Sequence, residues 1–287
     1  MKHNFASLQE RVLNLPFTFG NPARFFRQVN MIDELQLRSR EALIRATIWA
    51  FVGSLYGMIF IFFHHLAVHW DLSIPPVLIA CTLAATIAAL IYSSMRLAVI
   101  VTPISSVACL FYVVSNGSQI SLLNLTLSTA LIGSVAGAVY GLKARDSRVF
   151  RADAKTLSGV CAGAIVAVVI FLLGEVLPGL SMSLTIALAC LLTGTLYVTF
   201  APFFVRRFHE LLPAVGDGAM VGAGTSVFIA LLFFIMITGV TPETAGSLQP
   251  LTEQIRASFS AGAFGGMLGG GLSGLLSGFL LRKWQDL

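Results

Sequence analysis

The chain has 287 residues, of which 56% are hydrophobic and 11% charged, with a mean hydropathy of +0.87. Soluble domains carry about 25% charged residues, so this composition excludes a water-soluble enzyme or binding domain and points to a polytopic membrane protein. The net charge of +5 speaks for topology rather than nucleic-acid binding, because lysine and arginine collect in the cytoplasmic segments of such proteins.

Residues 1–42 read as a cytoplasmic or interfacial N-terminal arm. In "NPARFFRQVNMIDELQLRSREALIRA", Asn21 suits an N-cap and Pro22 the first helical position. Phe25, Val29, Ile32 and Leu35 share one side, with Arg24, Arg27, Arg38 and Arg40 outside it. That pattern predicts a basic amphipathic helix at the membrane surface. The first residues contain no apolar core followed by a small-residue cleavage site, so a removable signal peptide is not expected.

Eight apolar spans follow, at 43–65, 75–95, 97–115, 121–142, 156–178, 181–204, 219–240 and 258–281. Each is near the roughly 20 residues a helix needs to cross a hydrocarbon core. With the N-terminus inside, every lysine and arginine falls on the cytoplasmic side except Arg256. The expectation is a multi-pass protein of a bacterial-type cytoplasmic (inner) membrane with both termini cytoplasmic.

The spans repeat. "TLSTALIGSVAGAVYGL" (126–142) lies over "SFSAGAFGGMLGGGLSG" (258–274) without a gap. "IACTLAAT" (79–86) resembles "LACLLTGT" (188–195), and "PISSV" (103–107) resembles "AGTSV" (223–227). Gly53 and Gly57 match Gly159 and Gly163. The predicted fold class is all-α, with eight transmembrane helices as two four-helix repeats, 43–148 and 149–287. Four crossings return the chain to its starting side, so the copies share one orientation.

Glycine recurs every fourth residue in the last span, at Gly262, Gly266, Gly270, Gly274 and Gly278, beside a second stripe of Ala261, Gly265, Gly269, Ser273 and Ser277. Gly133, Gly137 and Gly141 form the counterpart in the fourth span. Helices in lipid cannot associate through the hydrophobic effect and rely on close backbone approach at small residues. These positions are therefore expected to pack helices, as a glycine zipper.

Candidate chemistry is sparse. Cys81, Cys109, Cys161 and Cys190 lie in apolar spans without metal spacing and read as packing residues. His65 and His69 are spaced i, i+4 and are weak metal candidates lacking further ligands. "GLSG" (271–274) looks like the serine site of rhomboid proteases, but Ser273 and the histidines lie at different depths, so no catalytic residue is assigned. Glu175 is the one ionisable group partly within a span, while Asp217 precedes the seventh span and reads as its cap. Thr102, Pro103, Ser105, Ser106, Asn124, Thr225 and Ser226 are the interior polar and helix-loosening residues, and with Glu175 they are the expected pathway.

The leading expectation is a permease or channel for a small neutral or amphiphilic solute, with its path between the repeats. The alternative is a non-transporting scaffold or assembly subunit that recruits partners through the glycine faces and the basic arm. No enzyme activity, cofactor or nucleic-acid partner is expected; the expected partners are the lipid bilayer, a small solute, and a second copy or another membrane-complex subunit. Cysteines placed at Asn116 and Thr244 should react with impermeant reagents from outside intact cells, and cysteines at Arg148 and Arg207 should stay unlabelled; labelling at Arg148 overturns the topology.

Overall fold

The computed structural model describes residues 22–117, 120–143, 151–208, 212–240 and 249–280. Among these, the regular structure is helical: α1 (Pro22–His69), α2 (Pro76–Ser93), α3 (Met95–Asn116), α4 (Leu122–Lys143), α5 (Ala152–Val176), α6 (Met182–Arg207), α7 (Ala214–Val240) and α8 (Gln249–Leu280). Eight stretches, including Ser39–His69 of α1, are long and apolar enough to cross a membrane. The chain is a multi-pass membrane protein by this measure. Residues group into two compact units, 1–41 and 42–287. Pro22 is the first residue of α1; Asn21 and the side chains through Arg38 lie outside the described residues.

Helix ends differ from the apolar spans for physical reasons. Hydropathy locates the lipid-soluble stretch, whereas the helix stops only where its terminal N–H and C=O groups find other partners. Thus α7 begins at Ala214, directly after Pro213, whose carbonyl accepts from the N–H of Gly216 and of Asp217. Likewise α8 begins at Gln249, well before the apolar run at 258. Ser94 alone, at φ −148° and ψ 81°, separates α2 from α3.

Four helix pairs approach so closely that a single methyl group would not fit between them. Along α1 and α8, a Cβ on Gly53 or Gly57 would strike the carbonyls of Gly266 or Gly262, and one on Gly270 would strike that of Trp49. Rising numbers on α1 meet falling numbers on α8, so the pair is antiparallel. The same holds for α4 with α7, where Gly137 meets Gly218 and Gly141 meets Ala214. In α2 and α5, Gly159 faces Ala89 and Gly163 faces Ala85 and Cys81. The fourth pair is parallel: Gly265 and Gly269 of α8 lie on the backbones of Ser183 and Ala187 of α6. One stripe of α8 therefore receives α1 and the adjacent stripe receives α6. Leucine or isoleucine at these positions would hold the axes apart and forfeit the dispersion contacts that join helices in lipid.

Three of these pairs join a helix before residue 148 to one after residue 149, so the two sequence halves are interleaved. The remaining faces carry the large apolar side chains. Val107, Phe111 and Val114 of α3, and Leu123, Leu127 and Leu131 of α4, are exposed, as are Phe264, Leu268 and Leu272 of α8. Such contiguous apolar surface requires lipid or protein against it.

Gly266→Leu and Gly137→Leu should each lower stability by about 1–3 kcal/mol or more, the cost of overpacking. Leu268→Ala, on an exposed face, should change it far less. Thermal unfolding in detergent with monodispersity as readout checks this; equal tolerance at all three sites contradicts the packing.

Candidate functional site

The interior contains a cavity where small residues meet aromatic ones. Trp49, Gly53 and Tyr56 of α1 face Ala85, Ala89 and Tyr92 of α2. Cys190, Thr193, Gly194 and Tyr197 of α6 close it with Gly159 and Gly270. The glycines and alanines draw the backbones in, and the rings hold them apart at this level. The cavity measures about 50 Å³, enough for a few waters at about 10–15 Å³ each.

Its walls are ordered by ring contacts. The centroids of Trp49 and Tyr92 are 5.6 Å apart with planes inclined at 67°, those of Trp49 and Tyr197 6.3 Å at 59°, and those of Tyr92 and Tyr197 6.0 Å at 80°. The three rings thus stand steeply inclined to one another, an arrangement favoured by the ring quadrupole. Polar chemistry is minimal: Tyr56 Oη and Thr193 Oγ1 lie 3.5 Å apart, at the limit of a hydrogen bond.

A second cavity of about 350 Å³ lies between the same helices toward their other end. His64 of α1, Val77 of α2, Ile170 and Glu175 of α5, and Met182 and Thr185 of α6 line it. Phe60 separates the two levels. It is fully buried, its ring 6.4 Å from that of Tyr56 and stacked 5.9 Å from that of His64.

The hydroxyls expected to line a pathway take a different arrangement. Ser105 Oγ and Ser226 Oγ are 2.7 Å apart, and both residues are fully buried. Gly133 makes room for this contact, since a Cβ there would collide with Ser226 Oγ. Thr102 donates to the Ala98 carbonyl at 2.8 Å, Ser106 to Thr102 at 2.9 Å and Thr225 to Val221 at 2.8 Å. These bonds spend the hydroxyl protons on their own helices, the usual fate of serine and threonine in a helix. Pro103 is exposed on α3, which continues through it to Asn116. Asn124 is exposed near the start of α4 and its carbonyl accepts from Ser128 at 2.7 Å. Of the expected pathway residues, only Glu175 lines either cavity, and it is exposed there.

The histidines are divided in the same way. His65 Nε2 lies 3.2 Å from Ser258 Oγ and ties α1 to α8, and His69 is exposed. Among the described residues no group of three or more His, Cys, Asp or Glu is placed to hold a metal ion. Ser273 is buried, donates to the Gly270 carbonyl at 3.0 Å and abuts Gly194.

Asp217 does not cap its own helix. Because α7 starts earlier than its apolar run, the carboxylate reaches α5 and accepts from the N–H groups of Ala152 and Asp153, both at 3.2 Å. Arg151, the residue before α5, sits in the left-handed region at φ 42° and supplies no side-chain cap itself. Its guanidinium turns to the end of α6, donating to the carbonyls of Val205 at 2.9 Å and of Phe208. Lys155 Nζ reaches the Ser93 carbonyl at the end of α2 at 3.4 Å. An anion at a helix start and cations at helix ends both complement the macrodipole. The exchange joins α2, α5, α6 and α7 at one end of the bundle.

The chain matches no family model, no curated protein and no solved structure at a significant level. Its own geometry therefore carries the functional reading.

Asp217→Ala leaves two buried N–H donors unpaired, so it should cost about 1–3 kcal/mol, read as a lowered unfolding temperature. Asp217→Asn, which keeps one acceptor, should cost less. No loss with alanine would mean that the cross-helix cap contributes nothing.

Proposed function

We propose that the protein is a permease or channel for a small solute, with the path running between α1, α2, α5 and α6. One observation supports the reading above others: two cavities occupy different levels between the same four helices, with Tyr56 and Phe60 packed between them. In this reading the structure is an occluded state, and the wide cavity at the His64 level is a vestibule. α1 and α2 open the first sequence half, and α5 and α6 open the second. The path thus lies between the two proposed same-orientation repeats, although on other helices than the hydroxyl-bearing α3 and α7. The bilayer is the cytoplasmic membrane of a bacterial-type cell with both termini inside, and the protein performs no covalent chemistry.

The scaffold reading draws on the dry Ser105–Ser226 contact and the extensive apolar faces of α3 and α4. The two differ in water access. In a cysteine-free background, Thr193→Cys should react with small water-soluble thiol reagents, and Ser226→Cys should not. Proteoliposomes should admit small neutral solutes, and Tyr56→Ala should increase the flux severalfold by removing the constriction. Absence of flux through both folded proteins, with Thr193→Cys inert, overturns the permease reading in favour of the scaffold.

A further inference from the structure

We infer that the wider cavity, at the level of His64 and Glu175, binds a primary ammonium group carried on a compact apolar body. This goes beyond the permease reading, since the cavity can hold such a ligand whether or not the protein carries it onward.

Room for the body comes first. The cavity measures about 350 Å³, and one of about 150 Å³ is enough to hold benzene. A six-membered ring with a two-carbon arm and an ammonium therefore fits. Most of the lining is apolar: Ile170, Phe171 and Leu173 of α5, Leu180 beyond it, and Met182 of α6. Such walls favour a hydrocarbon body over a fully hydrated solute.

The polar groups set the charge of the other end. Glu175 is the one residue of fixed charge among the described residues that line the cavity. It lies in the last turn of α5, which holds no basic residue. The C-terminal end of a helix carries a partial negative charge, so helix and carboxylate both attract a cation. The start of α6 has the opposite sign, but Ser181 caps it, its hydroxyl accepting from the Leu184 N–H at 3.4 Å.

Hydrogen bonding then separates one kind of cation from another. The Glu175 carboxylate only accepts. Thr185 gives its hydroxyl proton to the Ser181 carbonyl at 3.1 Å, so its oxygen is left as an acceptor. His64 Nδ1 is buried without a hydrogen-bond partner, a condition that native structures seldom leave unanswered. The lining thus holds acceptors in excess, and a primary ammonium brings three donors. A quaternary ammonium brings none, and an anion would be repelled by the carboxylate.

The test uses the full chain in phosphatidylcholine nanodiscs. Binding of radiolabelled 2-phenylethylamine is measured by scintillation proximity, with the signal of empty discs subtracted. Saturable binding is expected. 2-Phenylethanol, which has the same body without the charge, should compete severalfold less well, and so should the trimethylated amine, which keeps the charge without donors. Glu175→Gln should weaken the amine severalfold and leave the alcohol unchanged. Because Glu175 is exposed, this variant should unfold at the normal temperature. Equal competition by the alcohol or by the trimethylated amine overturns the inference. So does amine binding untouched by Glu175→Gln, or the absence of saturable binding to the folded wild-type chain. Phosphatidylethanolamine carries the same ammonium, so the titration is repeated with half of the lipid exchanged for it. Displacement of the amine assigns the site to a lipid headgroup and unchanged affinity to a free amine; either supports an ammonium site. A protein that binds the amine but passes no solute refutes the permease reading alone, and one that passes solutes without binding the amine refutes this inference alone.

Discussion

The backbone-to-backbone contact of α1 with α8 is the constraint on which the rest of the bundle depends. Lipid supplies no hydrophobic drive for helices to meet, so the contact must come from atoms brought within van der Waals range over a long seam. Gly53, Gly57, Gly262, Gly266 and Gly270 allow this by having nothing to interpose. Because α8 carries a second stripe onto α6, the seam also fixes how far α6 stands from α1. Trp49 and Tyr197, on those two helices, are too large for that spacing to close around them. The cavity is what remains when close-packed backbones on one side meet aromatic spacers on the other.

Helix termini obey a second rule. Each helix end has backbone groups without internal partners, and although Ser181 caps α6 locally, three helix ends are served by side chains of other elements. Asp217 serves α5, Arg151 serves α6 and Lys155 serves α2. Removing the charge from one element would therefore loosen the end of another. A polar knot of this type resists sliding of the four helices past each other at that end, while at the opposite end Arg256 of α8 donates to the Ile235 carbonyl of α7 and His65 of α1 meets Ser258 of α8.

Much of the fold is legible in the amino-acid order because its signals are local. Apolar length marks eight spans, and a four-residue glycine period marks faces that pack closely. Asp217 shows where local reading ends. Nothing near it indicates that its partners are the amides of residues 152 and 153, since that depends on two helix starts meeting in space. Ser105 and Ser226 resemble each other in context, and they meet as a buried hydroxyl–hydroxyl contact. A hydroxyl in a span has the same appearance whether it bonds to water or to the preceding turn. The aromatic residues around the cavity are not legible in the order of the chain, because positions 49, 56, 92 and 197 form no motif. The concentration of tyrosine on three helices was the signal available, and it acquires meaning only when those helices are adjacent.

The pairing of α1 with α8 also has a consequence for biogenesis. The first span leaves the ribosome with its glycine face complete, but the matching face is more than two hundred residues away in the chain. At synthesis rates of about 5–20 residues per second, the wait is on the order of 10–40 s. During that interval Gly53 and Gly57 expose a furrow that lipid tails fill poorly and that any small-residue helix nearby would fit. A chain that stops before α8 would leave its principal seam unsealed.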